Sequence, residues 1–382
     1  MIERGIYEHE HEVFRQTVRR FFDEEVKPRH AKWEKDGVVS RDLWLAAGEA
    51  GILCVDTPEA YGGAGADFLY SSVVIEEHGR SGCSGPGFPV HSDIVAPYFF
   101  KYATEELRQR WLPKMVKGEA IGAIAMTEPN AGSDLQNIRT VAEADGDDFV
   151  ISGQKIYISN GQLADFVLVA CKTDPEAKAR GVSLILVEAD REGFARGRNL
   201  EKVGLKAQDT SELFFDNVRV PKTNLVGTEG RGFFQMMEQL PRERLMQAIR
   251  TIGTLEMALE NTLRFVTDRQ AFGRPIAGFQ NTRFKLADVK ARSTMLRVFV
   301  DRCTEMLVAG KLDEVDGAMA KLLASEMTSE LLDECLQLHG GAGYMWEYPI
   351  ARAWTDARVG RIAGGTTEIM REIIGRSLVG KN

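Results

Sequence analysis

AMTEPNAGSD, residues 125–134, lies where the pattern of the chain changes from helical to β-rich. Before this stretch, from Glu10 to about residue 120, apolar residues recur at the spacing of a buried helix face. From residue 121 to about residue 230, short β-rich runs are separated by turn dipeptides such as Asp145-Gly146 and Asn160-Gly161. The stretch therefore stands at the start of a compact, largely antiparallel β-domain that follows a helical N-terminal region.

Helical spacing returns after Gly232 and persists to the end of the chain. The helical segments run to about Asp268, then from Asn281 to Ala309, from Val315 to Leu338 and from Thr366 to Leu378. Four such segments predict an antiparallel four-helix bundle. We therefore expect an α+β multidomain protein with three domains: an N-terminal all-α domain at 1–120, a middle antiparallel β-domain at 121–231 and a C-terminal four-helix bundle at 232–382.

Composition limits the classes of function that are open to this chain. Its 382 residues, 44% hydrophobic and 27% charged, are typical of a globular protein too long for one core. A formal net charge of −8 argues against nucleic acid as a partner. No apolar run approaches the roughly 20 residues that span a bilayer, and residues 1–12 lack the pattern of a signal peptide, so we expect a cytoplasmic protein without membrane association. The five scattered cysteines indicate neither a disulfide framework nor a metal site.

A second motif, QLHGGAGY at residues 337–344, is followed by Tyr348-Pro349 and by the run from Arg352 to Arg358. In spelling and position the two motifs resemble the flavin-site and C-terminal signatures of the acyl-CoA dehydrogenases. The resemblance covers the chain from Phe14 to Leu378. It implies the helical, β, helical fold of that family, FAD as the cofactor and an acyl-CoA substrate. It also implies electron-transfer flavoprotein as the electron acceptor and a homotetramer whose subunits share each FAD site.

The same resemblance assigns residues to the cofactor and the substrate. The first signature and the segment KIYISN (155–160) are implied to lie beside the flavin ring, which needs donors at its polar edge and a flat apolar wall. A neighbouring subunit is implied to hold the diphosphate and adenine, for which the planar fork of an arginine is suited. The residues implied for FAD are Met126, Thr127, Ser133, Tyr157, Ser159, Arg269, Phe272, Gln280, Gln337, Gly341, Thr366 and Glu368, and those implied for the substrate are Ser133, Arg244 and Gly364.

The catalytic base departs from the commonest pattern of the family. Most members carry a glutamate in a Tyr-Glu-Gly-Thr segment near the C-terminus, but the matching run here, IAGGT at residues 362–366, has Gly364 at that position. A minority, including the isovaleryl and long-chain dehydrogenases, supply the base from an earlier helix, where this chain has Glu243. We therefore expect Glu243 to remove the α-proton, and the resemblance implies that a ribityl hydroxyl of the flavin and the backbone N–H of Gly364 stabilise the enolate oxygen. The alternative for Glu243, which follows Pro241, is a solvent-facing glutamate in the first turn of a helix.

The acyl group that the enzyme accepts stays open at this stage. The closest likeness is to long-chain acyl-CoA dehydrogenases, but short branched (isovaleryl-like) and terpenoid (citronellyl-like) acyl groups are alternatives, and a base on the earlier helix is associated with tolerance of branching. Three other functions are alternatives: an acyl-CoA oxidase, a DNA-binding flavoprotein scaffold, and one half of a heteromeric dehydrogenase. Acyl-CoA oxidases are usually much longer chains, so the end of this chain at Asn382 is expected to argue against an oxidase.

Overall fold

The N-terminal region is helical in the computed structural model, which describes residues 2–380. The side chains of Asp67 and Thr104 cap two of its helices by accepting hydrogen bonds from backbone N–H groups in the first turn. Trp44, Tyr98 and Phe99 are fully buried between these helices. The helices are α1 His9–Phe21, α2 Lys27–Asp36, α3 Arg41–Glu49, α4 Phe68–Ser81, α5 Ala96–Tyr102 and α6 Glu105–Val116.

Seven strands form one sheet in the middle of the chain. They are β1 Gly122–Ala125, β2 Val141–Asp145, β3 Asp148–Ser159, β4 Phe166–Lys172, β5 Val182–Glu188, β6 Phe194–Asn199 and β7 Thr210–Pro221. The pairs β2–β3, β3–β7, β4–β5 and β6–β7 are antiparallel, whereas β4 pairs in parallel with β1 and, at one position, with β2. The largely antiparallel sheet is as expected, and the parallel pairings at β4 were not predicted.

Long helices return after the sheet and pack side by side. These elements are α7 Gly232–Asp268, the small hairpin β8 Gln270–Ala271 and β9 Arg274–Pro275, α8 Gln280–Val308, α9 Glu314–His339, α10 Pro349–Ala357 and α11 Thr367–Val379. The order helical, β, helical and the C-terminal helix bundle are confirmed. The short helix α10 was not predicted, and the domain boundaries near residues 120 and 231 remain predictions.

Helix α4 of the N-terminal region lies directly against α7. A Cβ added at Gly79 would stand 2.1 Å from the carbonyl oxygen of Arg250, and one added at Gly253 would stand 2.1 Å from that of Glu76, so only glycine permits this approach. Arg4 and Arg15 form ion pairs with buried Glu76 at 2.6 and 3.1 Å. This packing holds the N-terminal region against the middle of α7. No helix in residues 2–380 is long and apolar enough to cross a membrane.

Candidate active site

Glu243 lies in the interior of α7, about three turns after that helix begins at Gly232. The first-turn alternative is therefore wrong, because the helix continues through Pro241, against which Gly317 of α9 packs closely. The Glu243 side chain is buried, with 6% of the residue exposed. The hydroxyl of Tyr98, which comes from α5 and is itself fully buried, donates a hydrogen bond to Oε1 of Glu243 at 3.2 Å.

Burial decides the acidity of this carboxyl group. It raises the pKa of Glu243 to about 7, while the Tyr98 hydrogen bond and the positive charges of Arg244 and Arg242 act in the opposite direction. A carboxylate with a pKa near working pH can both accept and return a proton, which is what a general base requires.

Arg242 turns away from its neighbour Glu243 towards two acidic side chains of the N-terminal region. It contacts Asp56 at 2.5 Å and Asp93 at 3.7 Å, and its guanidinium lies over the ring of Phe68. Burial raises the pKa of Asp93 to about 7. These contacts with the N-terminal region fix the turn of α7 that carries Glu243.

Two buried cations, Arg244 and Lys321, lie near each other next to the turn of α7 that carries Glu243. Arg244 is 3% exposed, and its nearest carboxylate is that of Glu314, 3.9 Å away. Its Nε and Nη1 atoms have no hydrogen-bond partner within residues 2–380. Lys321 of α9 donates a hydrogen bond to the carbonyl oxygen of Gly365 at 2.5 Å, and burial together with the charge of Arg244 lowers the pKa of Lys321 to about 8. The lysine thereby holds the glycine loop, which contains Gly364 and Gly365, against the helix bundle.

Gly364 completes this group of residues. It has a φ of +68°, and a Cβ added to it would stand 2.2 Å from Nε2 of Gln247. Gln247 follows Glu243 by four residues on α7 and therefore lies on the same face of that helix. The structure thus brings Gly364 close to the turns of α7 that carry Glu243, Arg244 and Gln247, although Gly364 is far from them in sequence.

A second group of predicted residues meets where the first signature crosses the start of the segment 155–160. The backbone N–H of Ile156 donates to the carbonyl oxygen of Thr127 at 3.1 Å, and Oγ1 of Thr127 donates back to the carbonyl oxygen of Ile156 at 2.5 Å. Lys155 donates to Oε1 of Glu128 at 2.8 Å and to the carbonyl oxygen of Met126 at 3.0 Å. Both members of the Glu128–Lys155 pair are buried. Met126, Thr127 and the residues after Lys155 are therefore held in one fixed arrangement.

Tyr157 projects from this arrangement because β3 has an irregular register between Lys155 and Ile158. The tyrosine has a φ of +63° and is 67% exposed, so the bulge turns an aromatic ring out of the sheet. Ser159 is half-buried in the same strand, and Ser133 is exposed near the end of the first signature, in the loop after β1. No hydrogen bond within the described chain joins Tyr157 or Ser159 to the group around Glu243.

The residues implied for the adenine end lie at the other end of α7. Arg269 follows Glu243 by 26 residues, which corresponds to about 39 Å along a helix. Phe265 stacks on His339 at 4.4 Å, so the ends of α7 and α9 are adjacent there. Arg269, Phe272, Gln280, Gln337 and Gly341 are all exposed at or near this end, with Phe272 96% exposed. Within one chain they lie far from Glu243.

Thr366 and Glu368 lie at the start of α11, directly after the glycine loop. The side chain of Thr366 caps the helix by accepting from the N–H of Ile369 at 3.3 Å. Glu368 is exposed in the first turn, where backbone and hydroxyl donors lower its pKa. Thr366 therefore has a structural role whether or not it touches a cofactor.

Tyr98, Gln247 and Lys321 were not singled out from the sequence. Tyr98 and Lys321 belong to no motif that was used, and the residues that they contact near Glu243 and Gly364 lie in other regions of the chain. Gln247 could have been found, because four residues separate it from Glu243 and that spacing places both on one helix face. A group of three or more possible metal ligands is not found within residues 2–380, and the five cysteines are free and buried.

Comparisons with known proteins cover almost the whole chain. Family models described as the N-terminal, middle and C-terminal domains of acyl-CoA dehydrogenase match residues 8–119, 123–218 and 230–379. The long-chain specific acyl-CoA dehydrogenase of Sus scrofa is 49% identical over 378 residues, covering 98% of this chain and 88% of that protein. The isovaleryl-CoA dehydrogenase of Oryza sativa is 35% identical over 376 residues, covering 98% and 92%. Both relatives are described as mitochondrial.

Solved structures give the same result. An acyl-CoA dehydrogenase from Geobacillus kaustophilus superimposes with a TM-score of 0.97 at 48% identity, covering 98% of this chain and 100% of that chain. A glutaryl-CoA dehydrogenase from Mycobacterium smegmatis in complex with FADH2 superimposes with a TM-score of 0.92 at 28% identity, covering 98% and 96%.

The residues of this chain fit the flavin cofactor that such enzymes use. Tyr157 offers an outward aromatic ring beside the fixed backbone of Thr127. At the far end of α7, exposed Arg269 has no ion-pair partner within the described chain and stands near exposed Phe272, as a site for a diphosphate and an aromatic base requires. The cofactor is FAD. With family models matching all three regions and a relative 49% identical over 98% of its length, the chain belongs to the acyl-CoA dehydrogenase family of oxidoreductases.

Proposed function

We propose that the chain dehydrogenates long-chain acyl-CoA thioesters to trans-2-enoyl-CoA, with Glu243 as the base that removes a proton from C2. The observation that carries the proposal is the buried Glu243 carboxylate, with a pKa of about 7, about one helical turn from Gln247, whose side chain abuts Gly364. The 49% identity to a long-chain acyl-CoA dehydrogenase supports a long acyl chain in the substrate.

Each residue around the base has a definite task in this reaction. Glu243 accepts the C2 proton, and Tyr98 holds the carboxylate by its hydrogen bond. The backbone N–H of Gly364 donates to the thioester oxygen as negative charge develops there, and Lys321 keeps that loop in place through Gly365. FAD, when bound, supplies the acceptor for the hydride from C3. Arg244, whose Nε and Nη1 atoms make no hydrogen bond within residues 2–380, is assigned to orienting the substrate or the loop.

The proposal includes a homotetramer that shares its FAD sites. The separation of about 39 Å along α7 between Glu243 and Arg269 supports it, because one FAD molecule does not reach between those residues. Exposed aromatic side chains at the far end, such as Phe272 and Tyr344, also support contact with another subunit. Electron-transfer flavoprotein is proposed as the electron acceptor, and a cytoplasmic location remains a prediction.

A second candidate is a branched-chain enzyme, which the 35% identity to an isovaleryl-CoA dehydrogenase favours. The test is anaerobic mixing of the FAD-loaded protein with palmitoyl-, octanoyl-, isovaleryl- and citronellyl-CoA, with the loss of oxidised-flavin absorbance as the readout. Fastest reduction by palmitoyl-CoA is expected. Fastest reduction by isovaleryl- or citronellyl-CoA would indicate a branched-chain or terpenoid acyl-CoA dehydrogenase instead. No reduction by any of the thioesters would refute a dehydrogenase.

The hydrogen bond from Tyr98 predicts a specific pH dependence. The rate constant kcat/KM should rise as pH increases through about 7, because Glu243 must be ionised to act as a base. In Tyr98→Phe the ionised form loses a donor, so the pKa of Glu243 should rise and the midpoint of the profile should move up by about one pH unit. The check is the pH profile of flavin reduction in both proteins. A midpoint that stays in place or moves down would show that Tyr98 does not tune the base.

A further inference from the structure

Gln247 fills the space that Gly364 leaves open. A methyl-sized group at the Cβ position of Gly364 would stand 2.2 Å from Nε2 and 3.0 Å from the amide carbon of Gln247. Such distances are far shorter than the 3.5–4.0 Å at which non-bonded atoms attract each other. The absence of a side chain at Gly364 therefore does not create an empty cavity, because a side chain from α7 occupies it.

The amide of Gln247 is not committed to another role in the described chain. Within residues 2–380 it makes no hydrogen bond, and the residue is only half-buried. It lies on the face of α7 that carries Glu243, about 6 Å further along the helix axis. A side chain in this position contacts whatever lies between the base and the glycine loop.

We infer that Gln247 determines substrate specificity by restricting methyl branches at C2 of the acyl group. The inference rests on the proposed function, in which Glu243 faces C2 and the N–H of Gly364 binds the adjacent thioester oxygen. A methyl group on C2 then points into the space beside Gly364 that the Gln247 amide occupies. The substrate class is therefore acyl-CoA that is unbranched at C2, although the position of the base is associated with tolerance of branching.

The test compares two pairs of thioesters that differ only at C2: palmitoyl- with 2-methylpalmitoyl-CoA, and octanoyl- with 2-methyloctanoyl-CoA. The FAD-loaded native protein, Gln247→Ala and Gln247→Met are compared by the ratio of kcat/KM within each pair. Dissociation constants of the matching 3-thia-acyl-CoA analogues, with and without the 2-methyl group, give a readout that does not depend on turnover. Methionine is the matched control because it keeps the length of the side chain and removes the amide.

The native protein should favour the unbranched member of each pair by about tenfold or more, as is usual when one additional methyl group is refused. Gln247→Ala should reduce that preference about tenfold in both kcat/KM and binding, whereas Gln247→Met should retain it. An unchanged ratio of kcat/KM in Gln247→Ala would overturn the inference, and so would a loss of the preference in Gln247→Met as well. In either case, flavin reduction by the thioesters would still support a dehydrogenase. Absence of flavin reduction by every thioester would instead refute the proposed function.

Discussion

Replacing Glu243 by Gln is expected to slow flavin reduction by palmitoyl-CoA by about 10²–10⁴-fold, the usual contribution of a positioned general base. Glutamine has the same shape as the glutamate, and its amide oxygen can still accept the hydrogen bond from Tyr98. FAD content and thermal stability should therefore be retained, because a neutral side chain carries less desolvation cost in a buried site than a carboxylate. The loss should appear in the rate of reduction measured by anaerobic stopped-flow absorbance.

Glu238→Gln is the matched control for this substitution. Glu238 is on the same helix, five residues before Glu243, so it lies about 140° away around the helix axis. It is exposed and pairs with Tyr102 at 2.7 Å and Lys101 at 2.7 Å. Near-native reduction is expected for this control. Equal rates in the native protein and Glu243→Gln would remove Glu243 from the role of the base.

Lys155→Met is expected to lower the free energy of unfolding by about 3–5 kcal/mol, the range for breaking a buried ion pair at one partner. Burial works to raise the pKa of Glu128, but the charge and hydrogen bond of Lys155, together with hydrogen bonds from the backbone N–H groups of Arg139 and Thr140, act in the opposite direction and the pKa is lowered. Without Lys155 that carboxylate stays buried and unpaired, and the carbonyl oxygen of Met126 loses its donor. Denaturant unfolding of the apoprotein measures the change, and weaker retention of FAD should accompany it.

The double variant Glu128→Gln, Lys155→Met distinguishes the cost of leaving one buried charge unpaired from the cost of losing the ion pair itself. With no charge left at either position, it should be less destabilised than Lys155→Met alone, since the main cost of the single variant is an unpaired buried charge. A loss below about 1 kcal/mol in the single variant would mean that Glu128 takes a proton or reaches water, and that the pair does not hold the backbone of Met126 and Thr127 in place.

The fold could be predicted because each region has a distinct local pattern. The long helices α8 and α9 carry continuous apolar spacing, and their predicted bounds lie within a residue of the observed ones. The alternative that placed Glu243 in the first turn of a helix was wrong because of Pro241. A proline usually marks the start of a helix, but Pro241 lies inside α7. The parallel pairing of β4 with β1 and β2 joins strands that are distant in sequence. The local spacing of apolar residues does not predict such pairing.

The candidate site was predictable only where motifs named its members. Glu243 and Gly364 were paired by resemblance, and the structure adds the contact through Gln247 that links their positions. The bond from Tyr98 to Glu243 joins residues 145 positions apart, and no periodicity within either helix indicates it. The outward turn of Tyr157 arises from a register shift in β3, which depends on the pairing of β3 with β7.

The most direct test of Glu243 as the base separates proton removal from hydride transfer. 3-Thiapalmitoyl-CoA has sulfur in place of C3, so it can lose a C2 proton but cannot supply the hydride. The measurement is the incorporation of deuterium at C2 in D₂O, followed by NMR with the FAD-loaded protein. Rapid exchange with the native protein and with Glu238→Gln, together with exchange at least about 10²-fold slower with Glu243→Gln, is the predicted result. Undiminished exchange with Glu243→Gln would contradict the assignment of the base.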